Sequence, residues 1–325
     1  MFNNELWNKP AGGGGGTTIY DYQIANSVRF DGSTSVLNKT WGSAATNDNK
    51  MAISVWVKGT KTKTWGVLAS AAQNDLMTLY VGDRNDATLR TSIGYYAGNG
   101  GNNATSKAYD RDPSAWRHIV WIYDSTLGTG TDRIKIYNNG ELWPTANTTY
   151  WQNIDGGGYP GQNVNSGWGK NGNDNHIGDY QYNNAGRYNG YIADYVTIDG
   201  AATISDFGEI VNGVWVPKDP SGLTFGNNGF WLKFTNSGDF GEDFSGNNND
   251  WSVTGLATHD IMLDSPTFSA DDGNGGNFAT LNPEQKFSIG TFSEGNLKYV
   301  MSGGDNFSTT QALTTKSYCE VRIDA

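Results

Sequence analysis

The chain has one cysteine, Cys319, so it cannot close an intrachain disulfide and its fold must stand on packing. Its three histidines, at 118, 176 and 259, share no metal-ligand spacing, which removes a zinc site from the expectations. Charge is scarce as well: 17% of positions are Asp, Glu, Lys or Arg, against roughly 25% in an average soluble domain. The balance is acidic, with a net charge of -11. Phosphate neutralisation needs clustered Lys and Arg, and no such cluster occurs, so neither nucleic acid nor an anionic membrane surface is expected as a partner. No run approaches the ~18 uncharged apolar residues of a membrane span. Met1 to Pro10 carries Glu5 and lacks an apolar signal core, so neither membrane insertion nor export by a standard leader is expected.

What is present is polarity without charge: 44 Gly and 36 Asn among 325 residues, a composition of turns and loops. The Ala, Glu, Lys and Leu richness of long helices is missing, which excludes all-helical architectures. Twelve Trp, 17 Tyr and 13 Phe supply too much buriable surface for a disordered chain. The apolar residues follow a period of two. In Met51 to Val57, Met51, Ile53, Val55 and Val57 share one face. Ile134 and Ile136 alternate with Arg133, Lys135 and Tyr137, and Asn138-Asn139-Gly140 then offers the positive-φ residues of a tight hairpin. Further strands are expected at Ser27–Phe30, Leu76–Val81, His118–Tyr123, Tyr191–Ile198, Phe230–Phe234 and Tyr318–Ile323. Many short strands between Gly/Asn turns predict an all-β fold, an antiparallel β-sandwich or jelly roll.

Three stretches interrupt this pattern. Residues 1–20 contain the pentaglycine 12–16, a flexible linker that sets Leu6 and Trp7 apart as an anchor. Residues 153–190 form a Gly/Asn stretch too long for an ordinary connection, punctuated by Tyr159, Trp168, Tyr180, Tyr182 and Tyr188. Residues 264–283, rich in Asp, Gly and Pro, read as an interdomain linker. The expected organisation is an anchor at 1–20, a sandwich over 21–205, a β extension over 206–263, the linker, and a second β module starting at 284–325. The strand-like ending Cys319 to Ala325 has no closing turn, so a longer parent chain is expected.

The strings Ser27-Val-Arg-Phe-Asp-Gly-Ser33, Ile53-Ser-Val-Trp-Val57, Asp112-Pro-Ser-Ala-Trp-Arg-His-Ile-Val120, Arg133-Ile-Lys-Ile-Tyr-Asn-Asn-Gly140, His176-Ile-Gly178 and Tyr188-Asn-Gly-Tyr-Ile-Ala-Asp194 occur in this order. Together they resemble the strand order of laminin G-like, concanavalin A-like lectin domains. Asn228-Gly-Phe-Trp-Leu-Lys-Phe234, followed by Asp243 to Trp251, resembles the element that usually opens such a domain. Here it follows the closing strands, either as a permuted strand or as part of the next module. Leu6-Trp-Asn8 with the Gly tract, Val214-Trp-Val-Pro-Lys218, Leu263-Asp-Ser-Pro-Thr267 and Asn277-Phe-Ala-Thr-Leu-Asn-Pro283 resemble virion proteins of marine tailed bacteriophages. Ser317-Tyr-Cys-Glu-Val-Arg-Ile-Asp324 is similar to an early strand of a SPRY-like domain. The resemblance implies a head-fibre, decoration or tail-fibre protein on the virion surface. It would be held to capsid or tail proteins by its N-terminal segment, touch host-surface glycans, and form a homo-oligomer, a trimer if a fibre.

The chemistry of bond cleavage is mostly missing. No Glu-x-Asp-x-x-Glu string of a glucan hydrolase and no Gly-x-Ser-x-Gly elbow occurs, so the expectation is a non-enzyme. Asp239, Glu242 and Asp243 form the densest acidic run, and Asp243 would be the residue of a glycan depolymerase, the weakest alternative. No motif demands a cofactor, and calcium is the one the residues could take. Calcium takes hard oxygen ligands, and Asp243, Asn247 and Asn249 in one Asn-rich loop are its candidate ligands, with side-chain to backbone turn bonding as the competing reading. Sugar recognition needs aromatic faces beside planar polar groups. Tyr95, Tyr96, Trp151, Tyr159, Trp168, Asp179 and Tyr180 combine these types in loop-rich stretches. Contact of those residues with glycan, or with a neighbouring subunit in a purely architectural module, stays open at this level.

Overall fold

The computed structural model describes residues 19–60, 66–71, 77–82, 93–97, 102–106, 112, 114–143, 151–155, 159–181, 184–268, 275–283, 290–301, 308–310 and 322, with backbone alone at 93–97, 102–105 and 151–155. The strands are β1 (Ser27–Asp31), β2 (Val36–Thr40), β3 (Lys50–Gly59), β4 (Gly66–Ala71), β5 (Met77–Val81), β6 (Ile93–Ala97), β7 (Asn102–Ser106), β8 (Arg117–Asp124), β9 (Ile134–Asn138) and β10 (Glu141–Trp143). They continue with β11 (Trp151–Asp155), β12 (Asp174–Ile177), β13 (Asn189–Ile198), β14 (Gly208–Val211), β15 (Val214–Pro217), β16 (Phe230–Leu232), β17 (Ser252–Thr254), β18 (Ile261–Met262), β19 (Thr291–Ser293) and β20 (Lys298–Val300). No α-helix occurs among the described residues.

Two antiparallel eight-stranded sheets form the sandwich. Sheet A runs β10-β9-β8-β3-β13-β1-β18, with β16 paired to β13; sheet B runs β11-β7-β6-β5-β4-β12-β2-β17. Period-two alternation sends Val28, Phe30, Ile53, Val55 and Val57 of sheet A against Leu37, Leu68, Leu79 and Ile177 of sheet B, and these close one core. Trp41, Phe230 and Trp251 fill one end of it, with Phe230 and Trp251 centroids 4.9 Å apart. The expected hairpin forms between β9 and β10, where Asn139 has φ 49 and Gly140 φ 79. Residues after 205 add strands to both sheets: β16 pairs with β13, β17 with β2 and β18 with β1.

Sheet A is buried on its outer side too. Phe207, Phe225 and Trp231 pack on Ala52, Val120, Val196 and Ile198, while Trp56 and Ala193 meet Ile24 and Trp215. The polar residues that β3 sends to that side, Ser54 and Lys58, are consequently buried.

The linker reading of 264–283 is corrected by this packing. Asp264, Ser265 and Thr267 are buried. Ser27 donates its hydroxyl to the Asp264 carbonyl at 2.5 Å, and Ile24 N–H donates to the Thr267 hydroxyl at 2.8 Å. Phe268 bridges Gly275, making the segment a clip fastened to sheet A. Asp, Ser, Thr and Gly satisfy buried backbone groups here as readily as they punctuate a linker. The β19–β20 hairpin also touches the sandwich, because Asn296 donates to the Thr60 carbonyl and Tyr191 to the Gly295 carbonyl. The expected strand at Tyr318–Ile323 and the anchor residues Leu6 and Trp7 lie outside the described residues, Arg322 apart.

Candidate functional site

The outer face of sheet B carries a row of polar residues set by strand register. Ser252 stands opposite Asn38, Asn38 opposite His176, His176 opposite Ser70, and Ser70 opposite Thr78. The register carries the row on to Tyr96, Asn103 and Asp155. Directly opposed residues share a face, and the sequence neighbours Leu37, Ile177, Ala71, Met77 and Leu79 point into the core, so Asn38, His176, Ser70 and Thr78 face away from it.

The turn after β12 folds back over this row. Ser70 donates its hydroxyl to the Asp179 carbonyl at 2.8 Å and accepts from the Gln181 N–H at 3.0 Å. Tyr180 packs with Val67 and Tyr80. His176 is held at both nitrogens, by Asp179 Oδ1 at 2.6 Å and Asp174 Oδ2 at 3.0 Å. Arg187 approaches Asp179 Oδ2 at 3.6 Å. Burial alone would lower the His176 pKa, but the hydrogen bonds and charges of Asp179 and Asp174 outweigh it and raise the pKa above the usual imidazole value. The result is a ring fixed in place by two carboxylates, which favour its protonated form, and flanked by the part-exposed Asp174, Gln181 and Arg187. Two buried acceptors here, the Thr78 hydroxyl and the Gln181 Oε1, have no hydrogen-bond partner among the described residues.

No family model matches the chain. No curated protein matches it either. Among solved structures, a Bacteroides ovatus protein assigned as a candidate carbohydrate binder superposes with a TM-score of 0.50 at 16% identity, covering 76% of this chain and 62% of that one. The likeness is one of fold, an antiparallel β-sandwich of the jelly-roll kind. A Limulus polyphemus pentraxin matches at TM-score 0.39 and 16% identity over 56% of this chain and 80% of its own. Domains LG4-5 of mouse laminin alpha1 match at TM-score 0.35 and 12% identity over 53% and 40%.

Of the residues singled out for sugar contact, Asp179 and Tyr180 lie on this face, but both are buried, at 1% and 8% exposure, and act as its scaffold. Trp168 is corrected outright. It is 3% exposed and packs beside Trp251 inside the core, so its ring cannot stack on a sugar. Tyr159 is half-buried beside Gly130, away from the row. Tyr96 holds a register position in the row and Tyr95 the position beside it; the side chains of both and of Trp151 are outside what the structure describes. Sequence reasoning passed over Asn38, His176, Ser70, Thr78, Gln181 and Arg187. Only correct strand pairing aligns them, although the alternation in β4 and β5 marks Ser70 and Thr78 as facing away from the core.

The calcium reading of the Asn-rich loop is corrected as well. Asp243 Oδ1 accepts from the N–H groups of Trp231 and Ser245, and Oδ2 from the Ser245 hydroxyl and the Asn249 N–H, all at 2.7–2.8 Å. Asn247 donates its amide N–H groups to the carbonyls of Gly226 and Gly229, and Asn249 donates its own to those of Asn227 and Gly229. With its lone pairs filled by protein donors, the carboxylate organises a turn. Among the described residues no cluster of His, Cys, Asp and Glu could hold a metal ion.

Three arrangements bear on catalysis. Ser54 lies 2.7 Å from His118 Nε2, but His118 Nδ1 accepts from the Trp215 indole N–H at 2.8 Å. The ring proton therefore sits on Nε2 and points at Ser54, the wrong tautomer for a general base. Burial drives the His118 pKa down to about 3, which keeps the ring neutral. Asp174 and Asp179 do face one another, yet the His176 ring fills the space between them, leaving no room for a glycosidic oxygen. Asp194, in a β13 bulge at φ 48, accepts from Trp231 at 2.6 Å and Tyr22 at 3.0 Å. Burial raises its pKa to about 6, against those two hydrogen bonds, and both of these donors are neutral groups that fasten the cover of sheet A.

Proposed function

We propose that this chain is a non-enzymatic, lectin-like adhesion module whose saccharide surface is the outer face of sheet B. The observation that carries the reading is the accessible end of the register-aligned polar row, Ser252, Asn38 and His176, with His176 locked at both ring nitrogens beside the planar groups of Gln181, Asp174 and Arg187. Saccharide hydroxyls are donors and acceptors at once, and rigid amide, guanidinium and carboxylate groups meet them with little ordering cost. The resemblance of the sandwich to the Bacteroides ovatus protein supports the same reading. We place the module on a tailed-phage virion, tethered through Leu6 and Trp7 and turned toward the host envelope; the motifs from Leu6 to Pro283 support this.

A glycan array probed with the full chain tests the reading. Binding to an envelope polysaccharide is expected, weakened about tenfold or more by Gln181→Ala or Asn38→Ala at unchanged melting temperature, with no reducing ends released. Deleting residues 1–16 is expected to abolish particle incorporation and leave the sandwich folded. A second reading, a purely architectural module, draws on the apolar residues exposed between 263 and 301: Leu263, Phe268, Phe278, Leu297, Val300 and Met301. It predicts intact particle assembly with no glycan bound at all.

A further inference from the structure

On the opposite side of the molecule from the polar row, the side chain of Lys58 leaves β3 and ends fully buried beneath the 264–283 clip. Its Nζ touches three acceptors, Asp264 Oδ2 at 2.6 Å, Asn277 Oδ1 at 2.8 Å and the Phe278 carbonyl at 2.7 Å. Asp264 is itself buried, and its Oδ1 accepts from the Trp116 indole N–H at 2.7 Å. The Tyr191 ring centroid lies 5.7 Å from the amine. An amine, a carboxamide and a carboxyl group are thus gathered from β3 and from a segment about two hundred residues later, behind aromatic walls. The contact at Oδ1 brings the amine up to the carboxamide of Asn277 while Asp264 stays within hydrogen-bond reach of the same nitrogen.

We propose that Lys58 and Asn277 become joined by an intramolecular isopeptide bond, with Asp264 as the catalytic carboxyl group. The uncharged amine attacks Asn277 Cγ, the new Nζ–Cγ bond forms, and the carbonyl electron pair moves onto Oδ1. Asp264, entering as the uncharged acid, gives its proton to Asn277 Nδ2 and then takes one from Nζ, ending as it began. The Cγ–Nδ2 bond then breaks, the Oδ1 pair restores the carbonyl, and ammonia leaves. Atoms balance as amine plus carboxamide giving a secondary amide plus ammonia, with nothing oxidised or reduced. Burial favours the uncharged forms that this step requires: desolvation lowers the Lys58 pKa and raises that of Asp264, in each case against the attraction between the two groups. Fixed proximity supplies the remaining drive, because the reacting atoms are held in place by the folded clip.

The bond would tie the clip to sheet A covalently and close a loop spanning most of the chain. Denaturing intact-mass measurement on the full folded chain tests it. The expected mass is about 17 Da below that of the sequence, the loss of one ammonia. Proteolytic mapping is expected to return a branched peptide joining Lys58 to Asn277. Asn277→Ser and Asp264→Asn should both restore the unmodified mass, and Asn277→Ser should melt about 5 °C or more below the parent. A folded parent chain with the full sequence mass overturns the proposal, as does a loss of about 18 Da mapped to Lys58 and Asp264, which would make Asp264 the electrophile. The parent chain decides the matter by itself, so a variant that fails to fold does not obscure the result.

Discussion

The two sheets are built from the same alternating strands and use their outer faces in opposite ways. Sheet A sends Trp56, Val120, Val196 and Trp231 outward, and Tyr22, Ile24, Phe207, Trp215, Leu223 and Phe225 cover them. Sheet B sends out Asn38, His176, Ser70 and Thr78; the turn after β12 folds over Ser70, and Thr78 is buried as well, while Asn38 and His176 stay part-exposed. An apolar outer face recruits a second layer, whereas the polar one leaves its Asn38 and His176 end open to solvent. Burying charge is the risk taken on the covered side, where Lys58, Asp194 and Asp264 all lie.

The comparison can be broken most severely at Trp231. Truncation to Ala removes a large buried ring and one of the two donors to Asp194, and is expected to cost about 3–5 kcal/mol in urea unfolding. A loss below about 1 kcal/mol would mean that the cover on sheet A is loosely packed.

Asp194→Asn acts next, with the opposite sign. The folded-state pKa of Asp194 is raised from 3.8 to about 6, so its contribution to stability is fully present below the unfolded value and is lost as pH rises through about 6. Asn keeps an acceptor for Trp231 and Tyr22 and tolerates positive φ. At pH 7 the variant is expected to be more stable by up to about 3 kcal/mol, with a flatter profile between pH 4 and 7. Equal profiles for the two proteins would show that water reaches the Asp194 carboxylate.

On sheet B the effects are smaller. The raised pKa of His176 gives stability that is complete below its unfolded value of 6.5 and disappears as pH climbs through the higher folded value. His176→Gln is expected to lose about 1 kcal/mol at pH 6 and almost nothing at alkaline pH, the part-exposed pair being screened by solvent. An NMR titration of the ring checks the direction: a midpoint below 6.5 would contradict the clamp of two carboxylates. Thr78→Val is the mildest change. Its buried hydroxyl has no partner among the described residues, so the isosteric swap should stabilise by about 1 kcal/mol or less.

Local signals in the chain were enough for the sandwich. Met51 to Val57 and Ile134 to Ile136 declare their inward faces through spacing, and Asn139-Gly140 declares its turn through backbone chemistry. Neither depends on distant partners. Trp168 was misread because a tryptophan among Gly and Asn looks like a loop residue, whereas its ring turns into the core between β11 and β12. Asp243 was misread because one carboxylate can serve a cation or four N–H and O–H donors, and composition does not distinguish them.

What the sequence determined alone is the period of its strands and the positions of its tight turns, since both arise from neighbours along the chain. Register across sheet B and the covering of sheet A were decided only in three dimensions. A row such as Asn38, His176, Ser70 and Thr78 exists only once strands far apart in sequence pair. Lys58, likewise, meets Asp264 and Asn277 only after the clip closes over β3, because burial and proximity are properties of the packed chain.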